Sequence, residues 1–493
     1  MKIMKINPAD NVAVALTDIA AGETAETGGA SVTAKVPIPR GHKIALTDIA
    51  KGQDIVKYGF PIAAAKRDIS AGEHVHTDNA GTKLSERAEY TYDHKTYPAP
   101  KVKPLTFQGF RREDGRAATR NDIWIIPTVG CVNSVAEKLV RENQCLVRGS
   151  ITGLKTFPHP FGCSQLGGDL AATKTILADL VNHPNAGAVL VLALGCENLT
   201  MAMFQDALGS WNDDRVKFLT CQDSADEYTE GARLLKELAS YAASFKREEI
   251  PASELIVGMK CGGSDGLSGI TANPAVGAFS DRLIAMGGST ILTEVPEMFG
   301  AEKALFDRCE NEEVFDKAVS MVNAFKDYFT SHGQVVYENP SPGNKAGGIT
   351  TLEDKSLGCV QKGGTAQIVD VKEYGETVAK KGLTLLSGPG NDLVSATNLT
   401  AAGAHIILFT TGRGTPFSAP VPTVKISTNS ALYEKKGGWI DFNAGGIAEG
   451  DETIPECGER LLNYVLAIAS GAQTKAEANG FAEISILKDG VVL

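Results

Sequence analysis

The sequence predicts a multidomain α/β protein with an all-β module at its N-terminus, and three observations lead there. Residues 1–85 are built from a short repeated motif that leaves no room for long helices. From Phe107 onward, short apolar runs alternate with amphipathic stretches, the pattern of βα units and parallel strands. At 493 residues the chain also exceeds one ordinary hydrophobic core. The expected division is a β module at 1–85, a linker at 86–105, a middle α/β domain at 106–250 and a C-terminal α/β domain at 251–493.

Composition narrows the class. A hydrophobic content of 43% with only 6% aromatics, and 52 glycines, fits a loop-rich enzyme. The net charge of −11 argues against a nucleic-acid surface. No apolar run approaches the roughly 18–20 residues of a membrane span, and the first twenty residues, broken by Asn, Asp and Pro, do not read as an export signal. A cytoplasmic protein is expected. Nine cysteines, an odd number, then read as thiols or metal ligands rather than as a disulfide framework.

In the module, Ala15–Ala20 and Ala45–Ala50 are the same hexapeptide, ALTDIA, and Ala65–Glu73 (AKRDISAGE) is a third copy. Each copy runs on to a glycine (Gly22, Gly52, Gly72) and a short strand-like run, so a compact β-clip or barrel-like unit is expected. Alternation puts His74 and His76 on one strand face, a spacing suited to a metal or an anion, and His42 stands beside Lys43 between two turn signals. Residues 80–105 carry many charges, three prolines and no period, and so read as a stiff linker that lets the module reach a site elsewhere.

In the middle part, three apolar runs end in Gly-Cys pairs before helical stretches: Asp122–Val129 before Cys131, Ile151–Thr156 and its loop before Cys163, and Ala188–Leu194 before Cys196. If these strands are parallel, the three thiols share one sheet edge. Thiolates gathered there favour iron, either as a single ion or as a cluster held by three cysteines. Small residues at tight turns are the structural alternative.

The C-terminal part opens with a βαβ unit. Leu255–Met259 reads as a strand, Ala275–Met286 as a helix with Asn273 as N-cap and Pro274 at its first position, and Ser289–Thr293 as a second strand. Such a unit delivers Cys261, Asp265, Glu294 and Glu297 to the edge where open α/β sheets bind ligands. The Gly- and Pro-rich stretch 339–359 reads as a functional loop in which Lys345 and Lys355, with Glu353 between them, can clamp a carboxylate and move a proton. Arg413, between glycines at a strand end, is placed to grip a planar anion. Neither GPGNDL nor GRGTP completes a dinucleotide fingerprint, which disfavours an NAD-linked oxidoreductase, and there is no Walker motif.

Six ordered motifs carry a further likeness: Gly-His-Lys-x-Ala-Leu at 41–46, Pro-Thr-Val-Gly-Cys at 127–131, Leu-Gly-Cys-Glu at 194–197, Cys-Gly-Gly-Ser-Asp at 261–265, Asn-Pro-Ser-Pro-Gly-Asn-Lys at 339–345 and Thr-Thr-Gly-Arg-Gly-Thr-Pro at 410–416. Together they resemble the altronate/galactarate dehydratase family of acid-sugar lyases, and the His74–His76 pair resembles its altronate branch. The resemblance implies an N-terminal SAF-like β-clip, a middle α/β domain that dimerises and a C-terminal Rossmann-like parallel-sheet domain with a metal site. It implies a hydro-lyase of hexuronate catabolism that turns D-altronate into 2-dehydro-3-deoxy-D-gluconate and water, or acts on a relative such as galactarate. It also implies Fe2+, with Mn2+ as a substitute and an iron–sulfur cluster left open, and a homodimer. A non-catalytic sugar-acid-binding protein is the alternative outside enzymes, disfavoured by the density of thiols and carboxylates at strand ends.

For such a reaction the expected roles are these. Lys345 or Lys355 is the base, with Glu353 as partner, and His42, Lys43 or His76 supplies an acid or a ligand. Arg413, with Asp265, Asn273 and Asn344, holds the substrate. The metal takes either Cys131, Cys163 and Cys196, or Cys261 with Glu294 and Glu297.

Overall fold

The computed structural model describes residues 2–85 and 87–493. It is a mixed α/β chain of several domains, with an N-terminal β module and two parallel sheets. Among the described residues, no helix is long and apolar enough to cross a membrane.

The repeat explains the module. Each copy places an isoleucine in the core, and Ile19 bridges to Ile38 as Ile49 does to Ile69. Each copy's aspartate accepts a backbone N–H from another turn: Asp18 from Arg40, Asp48 from Ala71 and Asp68 from Lys51. The glycines that follow take φ of 81°, 84° and 85°, a region closed to most side chains. The result is three small antiparallel sheets. One of them pairs Lys43–Ala45 with His74–Val75, so that Ile44 lies opposite His74. This register carries the histidines to one end of the module.

In the middle domain the four strands lie in the order Gly153–Thr156, Asp122–Pro127, Ala186–Ala193, Val216–Thr220, and all are parallel. Helices cover both faces. Gly167–Asn182 packs on one side and shares its core with Leu399, Phe409 and Phe417 of the C-terminal domain. Asn133–Glu142 and Glu227–Ala242 cover the other side.

The C-terminal sheet has seven parallel strands, in the order Ile368–Lys372, Gly382–Leu386, Ser289–Leu292, Ile256–Cys261, Ile406–Thr411, Thr423–Ser427, Phe442–Asn443. The chain starts at Ile256–Cys261, steps to Ser289–Leu292 on one side and later to Ile406–Thr411 on the other. Cys261 therefore stands at the carboxyl end of the strand where the winding reverses, the place where loops diverge and open a crevice. The β module sits over this edge, and its Val12, Val14, Ile55 and Ile62 share one continuous core with Leu267, Leu352 and Leu357.

Two local expectations change. The helix after Cys261 runs Ala272–Ala285 with Thr271 as N-cap residue, so Asn273 lies inside it, where its side chain donates to the Gly358 carbonyl and accepts from Thr410. The stretch 339–359 is largely helical. Ser341 caps Pro342–Ala346 through a capping box, and Thr351 caps Leu352–Cys359. Those two caps outweigh the glycines and prolines on which the loop reading rested.

Candidate active site

Where the module meets the C-terminal domain, two groups of side chains converge. In the first, the ligating atoms of His42, His74 and His76 lie within 4.8 Å of one another. His42 Nδ1 is 2.9 Å from His74 Nε2, and the three ring centroids are 4.9–5.5 Å apart. The rings face the segment after the Pro342–Ala346 helix: His42 Nε2 is 3.4 Å from the Ala346 carbonyl, and His76 Nδ1 is 3.3 Å from Thr350 Oγ1. Burial, and then the neighbouring cations, push His74 and His76 down to about 4. Burial lowers His42 as well, so all three rings are shifted toward the neutral form of imidazole that binds metals.

Glycines make the approach possible. A Cβ on Gly266 would sit 1.9 Å from the Gly41 carbonyl oxygen, and one on Gly348 would sit 2.2 Å from it. Beneath the histidines, Asp354 takes Lys43 Nζ at 2.8 Å and Lys57 Nζ at 3.0 Å, with all three side chains sealed from solvent. Lys43 Nζ also donates to the Gly348 carbonyl at 2.7 Å. Burial pushes Lys43 down to about 8 despite Asp354. Lys57 moves the other way, because Asp354 and Tyr58 outweigh its burial. Burial would raise Asp354, but the two lysines hold it well below the usual carboxylate range.

The second group lies at the carboxyl end of Ile256–Cys261. Cys261 Sγ is 2.9 Å from Glu297 Oε2 and 3.4 Å from Cys359 Sγ, and Lys355 Nζ is 2.8 Å from Glu297 Oε1. Glu294, expected beside Glu297 as a ligand, turns instead to Lys260 at 2.6 Å, Lys362 at 3.2 Å and the Cys261 amide at 2.9 Å. It holds this position at φ 71°, a strained value for a side-chain-bearing residue. The ligand atoms of Cys261, Glu297 and Cys359 also lie within 4.8 Å of one another, so this group too has the geometry to hold a cation, with Glu294 outside it and Lys355 already paired to Glu297. The nitrogens of His42, His74 and His76 form the other such group, and imidazoles suit first-row transition metals.

One helical turn accounts for the neighbours Glu353, Asp354 and Lys355, whose side chains leave the helix about 100° apart. Glu353 points to the end of the module, where it accepts from Thr82 Oγ1 and the Lys83 amide, so it is separate from the proton-transfer group expected for it. Asp354, which sequence reasoning missed, meets the module's lysines. Lys355 meets Glu297, and Cys359, four residues on, lies on the same face. The missed signal was that spacing, together with another Gly-Cys pair at 358–359.

The remaining expected residues spread along the same edge. Asp265 is held by Thr428 Oγ1 at 2.9 Å and by Ser268, and burial pushes its carboxyl up. Asn344 completes the helix cap and donates to the Ser264 carbonyl. Arg413 is exposed and donates to the Gly343 carbonyl at 3.1 Å. Lys345 is half-buried, next to Ala346. Cys131, Cys163 and Cys196 do share one sheet edge, but it is that of the middle sheet. Among the described residues, they do not form a group of ligand atoms within 4.8 Å, and no single group joins them to Cys261.

Comparison with known proteins agrees along the whole chain. The altronate/galactarate dehydratase SAF domain matches residues 1–83, the D-galactarate dehydratase/altronate hydrolase second domain matches 109–243, and the D-galactarate/altronate dehydratase C-terminal domain matches 252–492. An altronate dehydratase of Bacillus subtilis (strain 168) is 55% identical over 496 residues, covering 99% of both chains. One of Escherichia coli (strain K12) is 51% identical over 499 residues and the full length of both. A galactarate dehydratase (L-threo-forming) of Escherichia coli (strain K12) is 34% identical over 498 residues, covering 95% of this chain and 92% of that one. With each of its three parts matched in order and relatives alike from end to end, the chain belongs to the altronate/galactarate dehydratase family.

Proposed function

We propose that this protein is a hydro-lyase that removes water from D-altronate to give 2-dehydro-3-deoxy-D-gluconate, as part of hexuronate catabolism. The observation that carries the reading is the convergence of the three module histidines with the Lys345–Thr350 segment, over the carboxyl edge that bears Lys355 and Glu297. The substrate follows the two altronate dehydratases alike over the full chain. Fe2+, with Mn2+ as a substitute, and a homodimer are taken from the family likeness, and a cytoplasmic location from the sequence reading above.

The reaction breaks the C2–H bond, forms C2=C3 and expels the C3 hydroxyl as water; the enol then takes a proton at C3 and becomes the 2-keto acid. His42, His74 and His76 would hold a ferrous ion, which when bound would supply Lewis-acid polarisation of substrate oxygens. The chain's own groups do the rest. Lys355 is kept as an ammonium by Glu297, despite its burial, so it stabilises the negative charge that develops beside the carboxylate. The base is assigned to Lys345, which precedes the Ala346 carbonyl facing His42 and, unlike Lys355, is not sealed in an ion pair. Arg413, free on the rim, takes the substrate carboxylate. Asp265, Asn273 and Asn344 act by fixing the loops that hold these groups.

The test is keto-acid formation from altronate and from galactarate, before and after exhaustive chelation and after ferrous reconstitution under anaerobic conditions. Turnover of altronate that chelation abolishes and iron restores is expected. Activity indifferent to chelation removes the metal from the reading, and preference for galactarate reassigns the substrate.

A further inference from the structure

Three of the thiols outside the active site follow neighbouring strand ends of the middle sheet. The middle-domain strands Asp122–Pro127, Gly153–Thr156 and Ala186–Ala193 are neighbours and parallel, with the first in the centre, so Cys131, Cys163 and Cys196 follow three adjacent carboxyl ends. Neighbouring strands stand about 4.8 Å apart, which sets the scale on which the loops emerge.

The loops are stitched together at the cysteines. The Gly130 amide donates to the Phe161 carbonyl at 3.0 Å, and Asn133 Nδ2 donates to the His159 carbonyl at 2.9 Å. On the other side, the Leu199 amide donates to the Gly162 carbonyl at 3.0 Å and the Ser164 amide to Asn198 Oδ1 at 2.6 Å. Glu197 ties the third loop to the first by accepting from Thr128 Oγ1 at 2.9 Å while also receiving the Leu194 and Gly195 amides. Each loop is thus hydrogen-bonded to the other two.

Two of the three thiols are open to solvent, and Cys163 packs partly against the core of the middle domain. Cys131 and Cys196 are exposed and Cys163 is half-buried, whereas Cys261, Cys309, Cys359 and Cys457 are buried. Packing at tight turns therefore does not account for Cys131 and Cys196. A cavity of about 600 Å³ opens beside Cys131 and Cys163, between Asn133, Pro158, His159 and Phe161. Gln222 Nε2 reaches Cys196 Sγ at 3.4 Å, a donor of the kind that tunes sulfur ligands. Because the sulfurs do not close to within 4.8 Å as a group, they do not suit a single tetrahedral ion. A cluster, which puts inorganic sulfide and several irons between its thiolates, spans a wider triangle.

The geometry points to an iron–sulfur cluster of the four-iron type bound by Cys131, Cys163 and Cys196, with its remaining iron turned to the cavity and lacking a cysteine. This site is separate from the three-histidine site, and its test distinguishes the two. The full-length protein is reconstituted anaerobically with ferrous iron and sulfide. Iron and acid-labile sulfide are then counted and the visible spectrum is recorded.

The wild type is expected to take up about four sulfides per chain with a broad visible band. Cys131→Ser, Cys163→Ser and Cys196→Ser should each lower sulfide uptake at least about tenfold, while Cys145→Ser, at the opposite edge, and His74→Ala retain it. A second measurement does not depend on variants: reconstitution should protect Cys131, Cys163 and Cys196, and not Cys145, from alkylation read by mass spectrometry. No sulfide in the wild type, unprotected thiols, or a cluster lost with Cys221→Ser overturns the assignment.

Discussion

Lys355 Nζ meets Glu297 Oε1 at 2.8 Å, and the two side chains are only 7% and 6% exposed. Removing one partner of such a pair strands a buried charge, at a cost of about 3–5 kcal/mol. Lys355→Met should therefore lower unfolding stability by about that much and lower kcat on altronate. The double variant Lys355→Met/Glu297→Gln should recover much of the stability but not the activity. Urea unfolding beside initial rates checks this; a double variant less stable than the single contradicts the pairing.

The histidine site makes a separate prediction. His74→Ala and His76→Ala should each bind iron at least about tenfold more weakly and lose turnover in proportion, with secondary structure intact. Elemental analysis after gel filtration decides it. Full iron retention in both variants would falsify the three-histidine assignment.

Asp354, shared by Lys43 and Lys57, sets a pH dependence. Its folded carboxyl lies well below the unfolded value of about 3.9. Its contribution to stability is thus fully present above that value and is lost as pH falls through it towards the folded one. Asp354→Asn should destabilise the protein at pH 7, with the gap to wild type narrowing below about pH 4. Melting temperatures across pH 3–7 give the answer, and a gap that stays constant rejects the linkage.

Asp179 works in the opposite sense. It lines a cavity of about 510 Å³ with Arg116, His183, Lys381 and His405, its Oδ2 is buried without a partner, and burial pushes it up to about 7. A raised carboxyl adds stability below the unfolded value and loses it as pH rises through the folded one. Asp179→Asn should therefore raise stability at pH 8, on the order of 2 kcal/mol, and make no difference near pH 4. Equal effects at both pH values would refute the buried, uncompensated charge.

Seating of the module rests on bare backbone. Gly348 has φ 100° and leaves only 2.2 Å between an added Cβ and the Gly41 carbonyl. Gly348→Ala should lift the module from the C-terminal domain, so limited proteolysis should cut within 82–105 faster and activity should fall. Unchanged cleavage and activity mean the contact is dispensable.

Much of this was legible because local chemistry is written locally. The ALTDIA repeat, the apolar runs and the Gly-Cys pairs placed the strands to within a few residues, since each depends on hydrophobic period and turn residues near in sequence. His74 and His76 fell on one face for the same reason. The helices at 342–346 and 352–359 were hidden because two side-chain caps outweighed a Gly- and Pro-rich composition.

By itself the sequence determined the elements, the family likeness and which residue types were available for chemistry. Only the tertiary structure decided which of them meet. Three consecutive residues of one helix, Glu353, Asp354 and Lys355, face the end of the module, the module's buried lysines and the crevice, and which surface each reaches depends on where distant elements pack. The same holds for the cysteines: strand-end position is a local property, but whether ligand atoms close to within 4.8 Å is set by how the domains pack, and Cys261 does so with Glu297 and Cys359 rather than with Cys131, Cys163 and Cys196.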